Sequence, residues 1–496
     1  MSHPGDFARS APDRLAFMLE DEQLTYAQLA VQSERLAGRL AALGCRCGET
    51  VALILPNSAE FFIAAWAAQM SGLYFVPLSE RLTAPERDYI LADSGARVVL
   101  THDGSLANAL PPAEWERGEV AGFKRVEGSD MLYTSGTTGR PKGVKRPLSG
   151  APLGSDQRRV KRARELFGMD EATIFLSPAP LYHAAPLRWA MTVQRLGGTV
   201  VAMRRFEAGA ALDALAEHRV THSQWVPTMF SRMLDHGERA GRAPNPASHI
   251  CAIHAGAPCP PEIKRRMIEW WGPILHEYYS GTEAVGFTHI DSHDWLKRPG
   301  SVGCAYGSRI HILDEHDNPL PPGKTGRVYF ESRAAHAYHN APAKARSATS
   351  RQGYATMGDI GHVDEAGFLY LTDRAAFTII SGGANIYPAE IEAALMSDPQ
   401  IVDCAVFGVP DGDMGEVVQA IVELASPPAD PAEKAAQIGA FLSRQLAANK
   451  LPRRIAFVNR VPRLETGKVR KRELMETYAD PARRGHPARI KQTNQG

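Results

Sequence analysis

Residues 133–143 read YTSGTTGRPKG: four hydroxyl side chains (Thr134, Ser135, Thr137, Thr138) stand among three glycines (Gly136, Gly139, Gly143), with Arg140 and Lys142 near the end. Glycines let successive backbone N–H groups converge on an anion, hydroxyls add donors, and the two cations neutralise its charge. The stretch predicts a loop that wraps phosphates. Its spacing is not the G-x-x-x-x-G-K-[ST] of P-loop NTPases, so that chemistry is not supported. A Ser/Thr/Gly surface linker has the same composition and is the plain alternative.

On the N-terminal side, Thr25 followed three residues later by Gln28 reads as a capping box, and Leu36, Leu40 and Leu43 recur at helical spacing until Gly44. The Ala-rich run from Phe61 to Met70, with Asn57/Ser58 before it and Gly72 after, fits a buried core helix. Short apolar runs (Val51 to Leu55, Tyr74 to Val76, Arg97 to Leu100, Thr199 to Ala202) alternate with helical segments, the pattern of parallel α/β layers. From about Gly300 the texture changes to short strands with turns such as Pro321-Pro322-Gly323 and Asp364 to Gly367, which predicts an antiparallel, barrel-like sheet. After Asp373 the chain returns to α+β character, with a helix from Pro388 to Met396 and strands near Cys404 to Val409 and Gln419 to Glu423. The expected fold class is α/β: a large N-terminal domain of layered sheets over 1–374, a small mobile α+β domain over 375–480, and a disordered tail over 481–496.

The 496 residues are 44% hydrophobic, enough for full cores without a metal or disulfide staple. Lys+Arg 56 against Asp+Glu 55 leaves a formal charge of +1, so no global footprint for nucleic acid exists. The six cysteines form no C-x-x-C pair and read as reduced thiols. The opening residues lack a signal-peptide core, and no uncharged apolar run reaches the ~18 residues of a membrane span. The expectation is a soluble cytoplasmic protein without integral membrane contact.

Further motifs follow in order: Tyr279-Ser280-Gly281-Thr282-Glu283, Tyr354 to Asp359 (YATMGD), Asp373-Arg374, Ser381 to Pro388 (SGGANIYP) and Pro462 to Lys468 (PRLETGK). Together with residues 133–143 they resemble the signatures of the adenylate-forming superfamily, which includes acyl-CoA synthetases, nonribosomal peptide adenylation domains and firefly luciferase. That resemblance implies a two-step reaction. A carboxylate attacks the α-phosphate of ATP to give acyl-adenylate and pyrophosphate, and a thiol, usually that of coenzyme A, then displaces AMP.

The resemblance also implies roles. Thr134, Ser135, Gly136, Thr137, Thr138, Gly139 and Lys142 would hold phosphates. Lys468 would supply positive charge at the α-phosphate, Thr282 would donate to it, and Glu283 would ligate Mg²⁺. Asp359 would accept from both ribose hydroxyls, and a hairpin turning at Gly367 can return Arg374 to its side. Gly256 and Ala257, in His254 to Pro258 (HAGAP), would lie against adenine, though small residues there read equally well as close strand packing. His183 matches a position between acyl pocket and nucleotide. Ser381, Gly382 and Gly383 belong to the loop of the small domain. The basic run Arg158, Arg159, Lys161, Arg162, Arg164 reads as a solvated helix face, with contact to coenzyme A phosphates or lipid as the other option.

Ala375 and Ala376 stand where the family usually carries Lys or Asp at the interdomain hinge; Ala384 replaces a Glu, and Met357 a small residue. Phe407 to Asp411 with Gly415-Glu416 resembles the CoA-forming branch. Phe175 to Pro180 (FLSPAP) lacks the Asp that pairs with an amino-acid ammonium, which disfavours an amino-acid substrate. The substrate segments Leu181 to Leu187, Trp225 to Phe230 and Ala284 to Phe287 carry no acid, so the expected small-molecule partner is an apolar carboxylic acid: fatty, aryl or bile-acid-like. Arg188 is expected to face solvent. The competing readings are transfer to a carrier protein and a non-catalytic nucleotide-binding scaffold; a homodimer is the candidate assembly.

Overall fold

The computed structural model describes residues 3–115, 117, 122–134, 141–241, 245–332, 338–374, 377–382, 384–463 and 469–488. The chain divides into two compact units: Met1–Gly256, Glu262–Arg298 and Ser332–Thr349 form the first, and Ala257–Pro261, Pro299–Glu331 and Ser350–Gly496 the second. The strands after 299, expected to close the large domain, therefore group with the C-terminal residues. Among the described residues no helix is long and apolar enough to cross a membrane.

Two sheets organise the first unit. One runs Glu22–Thr25, Leu15–Leu19, Thr199–Ala202, Ile174–Ser177, His222–Trp225, Cys251–His254, Leu275–Tyr279, Thr288–Asp291, parallel except at its two outer pairings. The other runs Ala109–Leu110, Ala96–Thr101, Thr50–Ile54, Tyr74–Pro77, Ser129–Thr134, Lys142–Lys145, and only its last pair is antiparallel. Helix Ala59–Met70, capped by the Ser58 side chain, touches strands of both sheets. It is buried on every side for that reason, and an all-round apolar sequence is the result. Its Trp66 Nε1 donates to Gln194 Oε1 at 2.6 Å, satisfying the indole in the core.

The capping box forms as read: Gln28 N donates to Thr25 Oγ1 at 3.2 Å and Thr25 N to Gln28 Oε1 at 2.8 Å, opening helix Tyr26–Ala42. Leu36 and Leu40 are buried, whereas Leu43 lies past the last turn and is exposed.

In the second unit, Ile310–Leu313, Gly326–Phe330, Ala355–Val363, Leu369–Arg374 and Ser301–Ala305 pair antiparallel in that order, as the turn signals implied. A second sheet runs Ala384–Ile386, Ile379–Ser381, Gly415–Leu424, Arg454–Phe457, His486–Pro487, with Ile401–Asp411 also paired to Gly415–Leu424. The expected tail thus begins as structure. Residues 481–483 form a 3-10 turn, His486–Pro487 adds a strand, and Ala488 is buried, because this short edge covers the helix Pro431–Leu442. Residues 489–496 lie outside the described set.

Candidate active site

The phosphate-loop stretch sits on a hairpin. Ser129–Thr134 leads in and Lys142–Lys145 returns antiparallel, with Tyr133 opposite Gly143 and Thr134 opposite Lys142. Ser135, Gly136, Thr137, Thr138, Gly139 and Arg140 lie outside the described residues. The base is pinned on several sides: Tyr133 Oη donates to Asp93 Oδ2 at 2.6 Å, Tyr89 Oη to the Pro141 carbonyl at 3.1 Å, and His339 N to the Gly143 carbonyl at 2.8 Å. A Cβ on Gly143 would stand 2.6 Å from Met131 Cε and 3.1 Å from the Tyr133 ring, so a larger residue fits only if these side chains shift. Burial, with Asp93 adding to it, raises the Tyr133 phenol far above its usual range and keeps it a donor.

Strands Leu275–Tyr279 and Thr288–Asp291 are antiparallel neighbours, and the segment between them carries Thr282 and Glu283. Ser280 Oγ donates to the Gly286 carbonyl at 2.7 Å and Ala284 N to the Gly281 carbonyl at 3.0 Å. Ala284 has φ 53°, a left-handed conformation that costs a side-chain-bearing residue about 1–2 kcal/mol. The loop is held against that cost by its surroundings. Glu283 Oε1 accepts from Tyr338 Oη at 2.7 Å, and Tyr338, 9% exposed, forms a β-bridge to Val144 on the returning strand of the hairpin. The structure therefore joins Glu283 to the phosphate hairpin through one tyrosine.

A second connection runs through Arg188, which does not face solvent. Its side chain is 13% exposed; Nε and Nη2 donate to Asp130 Oδ2 at 3.1 and 2.7 Å, and Nη2 also to the Thr282 carbonyl at 3.0 Å. Arg146 and Arg159 approach the other oxygen of Asp130 at 3.4 and 3.5 Å. Burial works against ionisation of Asp130, yet Arg188, then Arg146 and Arg159, hold its carboxyl far below the usual range. The basic helix is corrected in part as well. Arg158, Lys161 and Arg164 are exposed, but Arg159 turns toward Asp130 and Arg162 lies 3.9 Å over the Phe287 ring, because Val160, Ala163 and Phe167 bury that side of the helix. His183 is the N-cap of helix Ala184–Leu196, its ring 4.3 Å from that of Tyr182.

Gly256 has φ 91°, which explains a glycine directly before Ala257. In the second unit, Asp359 and Arg374 are direct cross-strand partners, and Asp359 is 6% exposed. Asp373 Oδ2 accepts from Ala389 N at 2.9 Å, tying the D-R strand to the start of helix Pro388–Leu395. Ser381 is buried, and Gly382 has φ 55° and donates to the Met414 carbonyl at 2.9 Å. Gly383, Ala375, Ala376 and Lys468 lie outside the described residues; Arg463 and Val469, flanking the Lys468 segment, form an antiparallel bridge. None of the six cysteines is in a disulfide.

Residues 6–336 match the AMP-binding enzyme family, and residues 390–468 match the AMP-binding enzyme C-terminal domain. The chain belongs to this family. It is similar to 2-succinylbenzoate–CoA ligase of Bacillus licheniformis, 30% identical over 96% of this chain and 100% of the relative. It is also similar to the long-chain-fatty-acid–CoA ligase FadD13 of Mycobacterium tuberculosis, 33% identical over 92% of this chain and 94% of that one. Among solved structures, o-succinylbenzoate CoA synthetase of Bacillus subtilis with its acyl-adenylate intermediate superposes with a TM-score of 0.84 at 28% identity, covering 96% of this chain and 98% of that chain. The same enzyme has been solved with ATP and a magnesium ion.

In this AMP-binding enzyme, Tyr338, Asp130 and the inward role of Arg188 escaped the sequence reading. Tyr338 stands in no recognisable motif, 55 residues from its carboxylate. The one signal available was Asp130, the single charged residue of its strand, beside the apolar Met131 and Leu132, where a buried carboxylate needs a cation.

Proposed function

We propose that the protein is an AMP-forming acyl-CoA ligase that activates an apolar carboxylic acid through an acyl-adenylate and transfers it to coenzyme A. The observation that carries this reading is the joining of the phosphate hairpin to Glu283 by Tyr338. With Oε1 taken by the tyrosine, Glu283 keeps Oε2 for a hard cation. A single carboxylate suits Mg²⁺, which retains waters and phosphate oxygens among its ligands. Mg²⁺ held there would neutralise charge on the triphosphate.

On this reading Thr134, Lys142 and residues 135–139 hold the phosphates, Thr282 donates to the α-phosphate, and Asp359 and Arg374 take the ribose hydroxyls. Gly256 and Ala257 lie along the adenine, and His183 separates the acyl pocket from the nucleotide. Lys468 meets the transition state of adenylation, where equatorial charge grows. The buried side chains of Leu181, Leu187, Trp225, Met229, Phe230, Val285 and Phe287 favour an apolar acyl group over an amino acid, whose ammonium would lack a partner. The long-chain fatty acid in one relative's name is of that class, whereas the 2-succinylbenzoate in another's carries a second carboxylate. A hinge at 375–376 would let the small domain over 375–480 reorient, with Ser381 to Gly383 serving the thiol step. The cytoplasm supplies both ATP and coenzyme A, and it is the compartment this reading assigns to the reaction.

The test is AMP release over a panel of fatty, aryl and sterol-like acids, dicarboxylates and amino acids, with and without coenzyme A. An apolar acid should give the highest kcat/KM, with acyl-CoA as product. Best turnover of an amino acid or a dicarboxylate, or AMP without acyl-CoA, would refute this reading.

A further inference from the structure

Arg188 lies in the second turn of helix Ala184–Leu196, outside every motif that marks the nucleotide site, yet its guanidinium ends at one of them and at the strand that leads into another. Asp130 stands on the strand that ends at Thr134, four positions before the phosphate loop. The Thr282 carbonyl belongs to the peptide that links Thr282 to Glu283. Arg188 donates to both, at 2.7 and 3.1 Å to the carboxylate and at 3.0 Å to the carbonyl. A charge-assisted bond to a carbonyl fixes the plane of its peptide, and the plane of this one sets where the Thr282 and Glu283 side chains point.

The loop needs such a restraint, since it contains Ala284 at φ 53°, a conformation that persists only where neighbours over-determine it. Tyr338 restrains Glu283 from its side chain, and Arg188 restrains the same residue from its main chain. Asp130 in turn is crowded by Arg146 and Arg159, so its orientation is set by three cations and it forms a firm anchor.

We infer that Arg188, anchored by Asp130, is a positioning residue for adenylation that holds the Thr282–Glu283 peptide against the strand Ser129–Thr134, which leads into the phosphate stretch. The inference rests on the proposed adenylation reading. A planar fork can serve the carboxylate and the carbonyl together, whereas a lysine is a compact charge on a different stem. A role in folding alone would lower stability and depress both half-reactions alike. Contact with the substrate acid would raise the KM for the acid.

The experiment measures acid-dependent ATP–pyrophosphate exchange, and separately the conversion of supplied acyl-adenylate and coenzyme A, in wild type, Arg188→Lys, Asp130→Asn and Glu283→Gln, with melting curves for each. Arg188→Lys should lower kcat for exchange by about a hundredfold, the scale of a misplacement of about 1 Å, while the KM for the acid and the thiol step stay within about twofold of wild type. Asp130→Asn, which keeps the shape and weakens the anchor, should fall in the same direction by a smaller factor and serves if Arg188→Lys does not fold. Exchange at the wild-type rate in a folded variant, equal loss in both half-reactions, or a rise confined to the acid KM would each overturn the inference while Glu283→Gln still shows the site to be catalytic. A wild-type protein without exchange would overturn the adenylation reading and this inference with it.

Discussion

Tyr338 donates to Glu283 Oε1 at 2.7 Å while its backbone bridges Val144, so one residue fixes the distance between a candidate Mg²⁺ ligand and the strand leaving the phosphate loop. Tyr338→Phe removes the hydroxyl and keeps the ring. The Glu283 carboxylate then loses the hydrogen bond donated by the tyrosine, a bond with a charged acceptor worth about 1.5–3 kcal/mol. The expected outcome is a loss of about tenfold or more in kcat for ATP–pyrophosphate exchange and a higher Mg²⁺ requirement, read by titrating Mg²⁺ at saturating ATP. An unchanged Mg²⁺ titration would show that the bond does not orient the carboxylate.

Gly143→Ala should disturb the hairpin from its base. The added methyl meets Met131 and Tyr133, and a displaced Tyr133 loses its 2.6 Å bond to Asp93. Overpacking of this kind costs about 1–3 kcal/mol. The variant should melt earlier and show a raised KM for ATP, with the acid KM little altered.

Glu127 and Arg195 form a buried pair at 3.0 and 3.1 Å, and Glu127 also accepts from Gln69 Nε2 and from Gly154 N. Removing Glu127 takes away the carboxylate to which Arg195 Nη1 and Nη2 donate inside the core. Glu127→Ala should destabilise the protein by about 3–5 kcal/mol in urea unfolding. A change under about 1 kcal/mol would mean that the rest of its surroundings, water included, compensate Arg195 without Glu127.

His276 and His289 touch at 2.9 Å beneath Phe167. Burial, opposed by Asp291, lowers both from 6.5 to about 4, and burial takes His249 to about 3. Their folded values lie below the free value, so the unfolded chain binds protons that the folded chain refuses. Stability must therefore fall as pH drops below 6.5 toward 4. Each ring should cost about 1 kcal/mol between about pH 7.5 and about pH 5.5. Melting curves across that window should show the fall, and His289→Gln should make it shallower.

Local signals were legible where one stretch of chain carries the whole cause. Thr25 and Gln28 make their capping box because both partners sit in one turn. Asp359 and Arg374 meet because a single hairpin, turning at Gly367, brings them back opposite each other. The misses are contacts between distant segments. Arg188 was read as outward because its own helix segment shows nothing to attract it, whereas its partner Asp130 lies 58 residues away. His486–Pro487 was read as tail because two residues carry no periodicity. Its place is made by Gly485, where a Cβ would stand 2.4 Å from the Ile455 carbonyl oxygen. Loop 464–468, with Lys468, rests on the sequence motif alone.

The most direct measurement of the central claim is a rapid-quench time course with ATP labelled at the α-phosphate and the acid that best supports AMP release. Without coenzyme A, label should appear as enzyme-bound acyl-adenylate in one burst per site; added coenzyme A should discharge it to AMP and acyl-CoA. Label released as ADP, AMP formed without acid, or an adenylate that coenzyme A does not discharge would contradict the account.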